Sequence, residues 1–240
     1  MKVIAALLLA IPLLAHGQEK PSADEIMSSV RQGAAFQDEQ DLSGVIRKGS
    51  AKTPISLFLR GKDIQFALKG GAERFHLRLN EKSQDLLEIL ASGKTRPFPD
   101  AKIAAPIANT DVSYEDLALK FLYWPNPQHA GEEKIEGQQC WRLHVANPDK
   151  TGRYREISVW VTKNQRALMR VVGYGERPNG GKGPPPAIKQ FEITEVMTVN
   201  NVYTVKTMKV STFGKDNRVS GITYIEFENP KSKIRDRTGR

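Results

Sequence analysis

The sequence predicts an α+β protein that is mostly β. It reads as about eleven antiparallel strands curled into a barrel-like shell, with an N-terminal helix and a short inserted helix. Three observations predict it. Residues 62–80, KDIQFALKGGAERFHLRLN, alternate between apolar and polar side chains, the period-two mark of strands with one buried and one wet face. Gly, Lys and Asn recur at hairpin spacing on both sides of a Pro-rich middle. Helical periodicity is confined to 21–36 and 113–124.

The chain opens with MKVIAALLLAIPLLAHGQ: a basic Lys2, an apolar run from Val3 to Ala15, and small Ala15 and Gly17 before Gln18. That is the layout of a cleaved export signal over 1–17, and the run is shorter than the roughly 20 residues that span a bilayer. Residues 18–230 follow as one domain. Within it, 21–36 (PSADEIMSSVRQGAAF) read as a helix with Ser22 as N-cap, Glu25 completing a capping box, and Ile26, Val30 and Phe36 on its apolar side. Strands follow as DLSGVIRKG, TPISLFLRG, KDIQFALK, ERFHLRLN and DLLEILAS, a meander of about five. Residues 93–111 read as a loop, with three prolines and no alternation.

The second helix, SYEDLALKFLYW, is N-capped by Ser113 with Asp116 at the capping-box position. Tyr114, Leu117, Phe121 and Trp124 form its apolar stripe, and Pro125 and Pro127 end it. Six further strands are read from EKIEGQQCWRLHVAN, YREISVWVT, RALMRVVGYG, AIKQFEITEVMTV, NVYTVKTMKVST and RVSGITYIEFEN, interrupted by a Gly/Pro loop at 176–187. The tail 231–240 is basic.

The formal charge is +9, of which the signal contributes only Lys2. This balance favours anionic lipid or acidic protein surfaces; an exported protein has little occasion to meet nucleic acid. A single cysteine, Cys140, rules out an intrachain disulfide. Chemistry-bearing motifs are scarce. Cys140 and His144 share a strand face, but four residues along a strand span about 13 Å, whereas a nucleophile and its base need about 3 Å. Cys140 therefore reads as a small buried residue. His76, His129 and His144 lack metal-ligand spacing, and GERPNGGKGPPP is followed by no helix that holds a phosphate. No cofactor or metal site and no catalytic residue is expected.

The apolar groups carry more. Phe58, Phe66, Leu68, Phe75 and Leu77 on the first meander, Trp141 and Trp160 on the second, and Tyr114, Leu117, Phe121 and Trp124 on the inserted helix form one constellation. Two short helices are little material to fill so large a shell, so a cavity is expected, with the inserted helix as its lid.

The exported helix-then-meander start, the mid-chain TDVSYEDL, the block EEKIEGQQCWRLHVANPD, then YREISVWVTKNQRALMRVVGYG and IKQFEITEV, resemble the LolA/LolB-type lipoprotein carriers, the outer-membrane lipoprotein-sorting proteins. The likeness runs from about residue 24 to 230. It implies an incomplete antiparallel barrel with a helical lid, and a cavity that takes acyl chains of lipoproteins or other lipids. It further implies a monomeric periplasmic carrier that exchanges cargo with inner- and outer-membrane partners, and an early-strand arginine coupling lid to cargo, for which Arg47 and Arg60 are the candidates. Sensors of the MucB/RseB kind share the architecture, which keeps open a second role: detecting lipid and binding a membrane protein.

Overall fold

The structure is a computed structural model and describes residues 20–35, 39–149, 151–178 and 183–230. The expected export signal and basic tail, Phe36, and residues 179–182 of the Gly/Pro loop lie outside the described residues.

Helix α1 (Ala23–Ala35) starts where its cap dictates: Ser22 Oγ accepts from the Glu25 amide at 3.2 Å, and the Glu25 carboxylate accepts from the Ser22 amide at 2.7 Å. Its Ile26, Met27 and Val30 are buried. The first meander comprises β1 (Gln40–Lys48), β2 (Ala51–Arg60), β3 (Asp63–Leu68), β4 (Glu73–Leu79), β5 (Gln84–Ile89) and β6 (Thr95–Pro97). After the short helices α2 (Asp100–Ile103) and α3 (Tyr114–Ala118) come β7 (Gln128–Ile135), β8 (Gln138–Ala146), β9 (Glu156–Thr162), β10 (Leu168–Tyr174), β11 (Ala187–Val199), β12 (Val202–Phe213) and β13 (Val219–Phe227).

The thirteen strands among the described residues form one antiparallel sheet, ordered β6-β5-β4-β3-β2-β1-β13-β12-β11-β10-β9-β8-β7, which does not close within them. The two meanders join where β1 meets β13, pairing Ile46 with Ile225 and Gly44 with Phe227. A side chain at Gly44 would place its Cβ 2.1 Å from the Glu226 carbonyl oxygen, so this seam requires glycine.

Register makes one face continuous. Leu57 pairs with Phe66 and Phe66 with Phe75; across the sheet, Phe191 pairs with Val171, Val171 with Val159 and Val159 with Leu143. These residues, with α1 and the segment around α3, make the main core. A smaller cluster of Ile135, Cys140, Trp160 and Val172 sits on the opposite face.

Two strands exceed the sequence expectation. Residues 133–147 are not one strand, because Glu136 (φ 45°) and Gly137 (φ 80°) turn the chain between β7 and β8. Seven of the eight β7 residues are exposed, so no alternation betrays it. His129 lies on β7 with its Nε2 2.9 Å from the Pro21 carbonyl oxygen. The other addition is β6, which pairs Arg96 with Glu88 within the supposed loop. The inserted helix is also shorter than its stripe implies. It breaks at Leu119, whose φ of 51° is left-handed, and resumes as a 3-10 turn over Lys120–Tyr123.

Candidate functional site

Between the sheet and the segment that follows α3 lies a cavity of about 180 Å³. Its floor is the inner face of β1–β4 and β11–β13, including Leu42, Leu59, Phe66, Leu77, Phe191 and Ile225; Val112, Leu117 and Leu119 roof it. Larger hollows lie among charged groups, such as one of about 660 Å³ beside Trp141 that includes Lys20, Glu132, Lys163 and Arg166.

The roof is fixed on its N-terminal side by several contacts. Ser113 Oγ accepts from the Asp116 amide and the Asp116 carboxylate accepts from the Ser113 amide at 2.7 Å, the expected capping box. That carboxylate also meets Lys189 Nζ at 2.5 Å, and both side chains are 1% exposed. Tyr154 donates its hydroxyl to Asp116 Oδ1 at 2.5 Å. Burial, then the Asp116 charge and this hydrogen bond, push the Tyr154 phenol well above its ordinary range. Burial likewise raises the Glu115 carboxyl, partly offset by the Arg153 amide that donates to it at 3.1 Å.

Upstream, Asp111 accepts from Lys48 Nζ at 2.8 Å and from the Thr223 hydroxyl at 2.9 Å. Laterally, the Tyr114 ring packs on Phe75 (5.7 Å) and Phe98 (4.9 Å), and its hydroxyl donates to Glu73. Burial pushes Glu73 up, but Lys102 at 2.6 Å and Tyr114 outweigh it and hold the carboxyl below its usual value. This set of anchors ends at Asp116, and the chain is held again beyond Leu119, where Phe121 and Leu122 are buried and the Leu122 carbonyl accepts from Arg31. The half-buried Leu117 and Leu119 reach the cavity between these anchors, at the left-handed break.

Of the residues expected at the site, Phe66, Leu77 and Leu117 line the cavity. Leu68, Phe75, Tyr114, Phe121, Trp124 and Trp141 are buried in the surrounding core. Phe121 and Trp124 flank the turn whose Leu122 carbonyl accepts from Arg31 of α1 at 2.8 Å. Two expectations are corrected. Phe58 alternates with the inward Leu57 and Leu59 and borders a depression with Arg60, Gln65 and His76 on the other face. Trp160 pairs with Arg142 between the inward Val159 and Val161, and joins the outer cluster, its Nε1 donating to Glu133 at 2.8 Å. In both cases strand parity prevails over residue type.

Neither candidate arginine lines the cavity. Arg47 pairs with Glu226 at 2.5 Å and lies over the Tyr224 ring at 4.5 Å; Arg60 pairs with Asp41 at 2.7 Å. Sequence reasoning missed Leu42, Leu57, Leu59, Ile64 and Leu119. Ile64 lies in phase with Phe66 on β3, whereas Leu57 and Leu59 lie out of phase with Phe58, and the choice of Phe58 by size hid them.

No group of three or more metal-ligating side chains occurs among the described residues. A Ser158, His144, Glu156 trio does adjoin on the outer face, with His144 Nε2 3.2 Å from Glu156. Ser158 is fully buried and its Oγ has no partner, while Arg177 grips Glu156 through bonds of 2.5 and 2.6 Å. The trio offers no access to a substrate.

The unclosed antiparallel sheet and its short helices form a fold shared with solved structures. The structure aligns with a DUF1329 family protein from Desulfovibrio piger at TM-score 0.63 and 18% identity, covering 88% of this chain and 92% of that one. It aligns with a domain described as an outer membrane lipoprotein-sorting protein from Vibrio parahaemolyticus at TM-score 0.61 and 13% identity, over 86% and 92% of the two chains. A LolA superfamily protein from Nitrosomonas europaea aligns at TM-score 0.61 and 12% identity, over 88% and 93%. A family model with the description "Uncharacterized protein" matches residues 89–237, more than half of the chain, and the chain belongs to that family. No curated protein matches it. Among the described residues, no helix is long and apolar enough to cross a membrane.

Proposed function

We propose that this protein is a periplasmic carrier that takes an acyl chain of a lipoprotein or other lipid into the cavity beneath Leu117 and Leu119. The single observation that carries this reading is an apolar cavity whose roof, held at Asp116 and again at Leu122, is interrupted between them by a left-handed residue.

The energetics favour exchange. A 16-carbon chain leaving water gains about 12 kcal/mol, at about 0.8 kcal/mol per methylene. The present cavity of about 180 Å³ is smaller than the roughly 300–1,000 Å³ of ordinary ligand sites, so cargo enters by displacing the roof. Leu117 and Leu119 are only half-buried, and lifting both forfeits about 2–4 kcal/mol. Cargo therefore wins, and the roof's own packing lowers net affinity enough to keep the cargo transferable.

Native mass spectrometry of the purified protein is expected to show bound lipid. A fluorescent acyl probe is expected to bind the delipidated protein, and Met208→Trp, which fills the cavity from β12, is expected to weaken it at least tenfold while the fold is retained. Equal probe affinity in the wild type and Met208→Trp sinks the proposal.

A further inference from the structure

Gln40, at the start of β1, is 2% exposed, and its Nε2 has no hydrogen-bond partner. Its Oε1 is engaged by the Thr204 hydroxyl at 3.1 Å. A buried amide donor left without an acceptor is a destabilising arrangement that native proteins rarely keep. The surroundings say what acceptor fits. Gln40 stands opposite Leu59 in the β1–β2 register, and Leu42 lies two residues on, on the same strand face. Leu42, Leu59 and Thr204 all line the cavity. Leu42 and Leu59 also pack with Met197 and Val199, next to the β11–β12 turn at Asn200 and Asn201. Gln40 is not itself a lining residue, but it adjoins the lining residues Leu59 and Thr204 on the inner face of β1, on the side near the β11–β12 turn, where Tyr203 is 78% exposed.

We infer that Gln40 Nε2 donates a hydrogen bond to the ester carbonyl of a bound acyl lipid, with Thr204 holding the amide in the orientation that presents its nitrogen. The acyl tail then runs from Gln40 toward the roof at Leu117 and Leu119, and the lipid's polar head lies toward the β11–β12 turn. The occupant is an O-acyl or N-acyl lipid in which the first carbon of the chain is a carbonyl, in preference to an alkyl ether of equal length. This rests on the acyl-carrier proposal, of which it specifies the cargo chemistry.

The test compares 1-monopalmitoylglycerol with 1-O-hexadecylglycerol, which has the same chain length without the carbonyl, as competitors of a fluorescent acyl probe on the full mature chain. The ester is expected to bind about five- to tenfold tighter than the ether, the weight of one buried hydrogen bond. Gln40→Met is expected to bring the ratio close to one. A second measurement needs no variant: isotope-edited infrared spectroscopy of the carbonyl-labelled ester is expected to show its band at lower wavenumber in the protein than in alkane. Equal binding of ester and ether by the wild type, an unchanged ratio in Gln40→Met, or a band at its alkane position overturns the inference while leaving the carrier proposal standing. Failure of both lipids to bind overturns both.

Discussion

Lys189→Met removes the cation that holds the roof to the sheet, and its effect can be worked from the structure. The Nζ–Oδ2 separation is 2.5 Å and both side chains are 1% exposed. At an effective dielectric of about 20, two unit charges at that distance attract by about 7 kcal/mol, much of it offset by the loss of hydration of both ions. Removing one partner leaves that loss in place for the other. Asp116 then keeps only the Ser113 amide and the Tyr154 hydroxyl, and the expected loss is about 3–5 kcal/mol. For a domain whose stability lies in the range of 5–15 kcal/mol, that is a large fraction. Urea unfolding followed by tryptophan fluorescence measures it, with Lys206→Met as the control: its ion pair with Glu195 spans 2.6 Å, but the side chains are 48% and 53% exposed, so less than about 1 kcal/mol is expected. The double variant Asp116→Asn/Lys189→Met discharges the stranded carboxylate and keeps the cap, and is expected to recover part of the loss. A Lys189→Met loss no larger than that of Lys206→Met refutes the reasoning.

Gly173→Ala places a methyl 2.3 Å from the Tyr154 ring, so it is expected to destabilise by about 1–3 kcal/mol; in a thermodynamic cycle with Tyr154→Phe the two losses should fall short of additivity, because both disturb the same hydrogen bond to Asp116. Glu115→Gln tests the buried carboxyl. Its folded-state pKa lies above the unfolded one, so the native state binds the proton more tightly and the ionised group subtracts stability above that folded pKa; the variant should melt above wild type at pH 8, and the advantage should vanish as pH falls through the folded and then the unfolded pKa.

The first meander was legible because β3 and β4 keep their alternation with one face in the core. Both caps were legible because a capping box is a local device, set by residues three apart. What escaped the sequence has physical causes. Strand β7 carries no apolar rhythm, since seven of its eight side chains meet solvent. The break at Leu119 interrupts a stripe whose spacing is otherwise helical; no glycine or proline marks it. Phe58 and Trp160 drew attention by size, yet parity sends them outward. The Lys189–Asp116 pair joins residues 73 apart in sequence, and nothing in a strand that reads AIKQFEITEV announces that its lysine is buried.

That the thirteen strands stop short of closure has a consequence for girth. A closed barrel fixes its bore through strand number and stagger, and widening it would require breaking ladder hydrogen bonds. Here β6 and β7 are free margins, so the sheet can flatten or tighten its curl with every ladder intact. On the proposed carrier reading, such bending of the wall would let the same sheet enclose thin and bulky passengers alike.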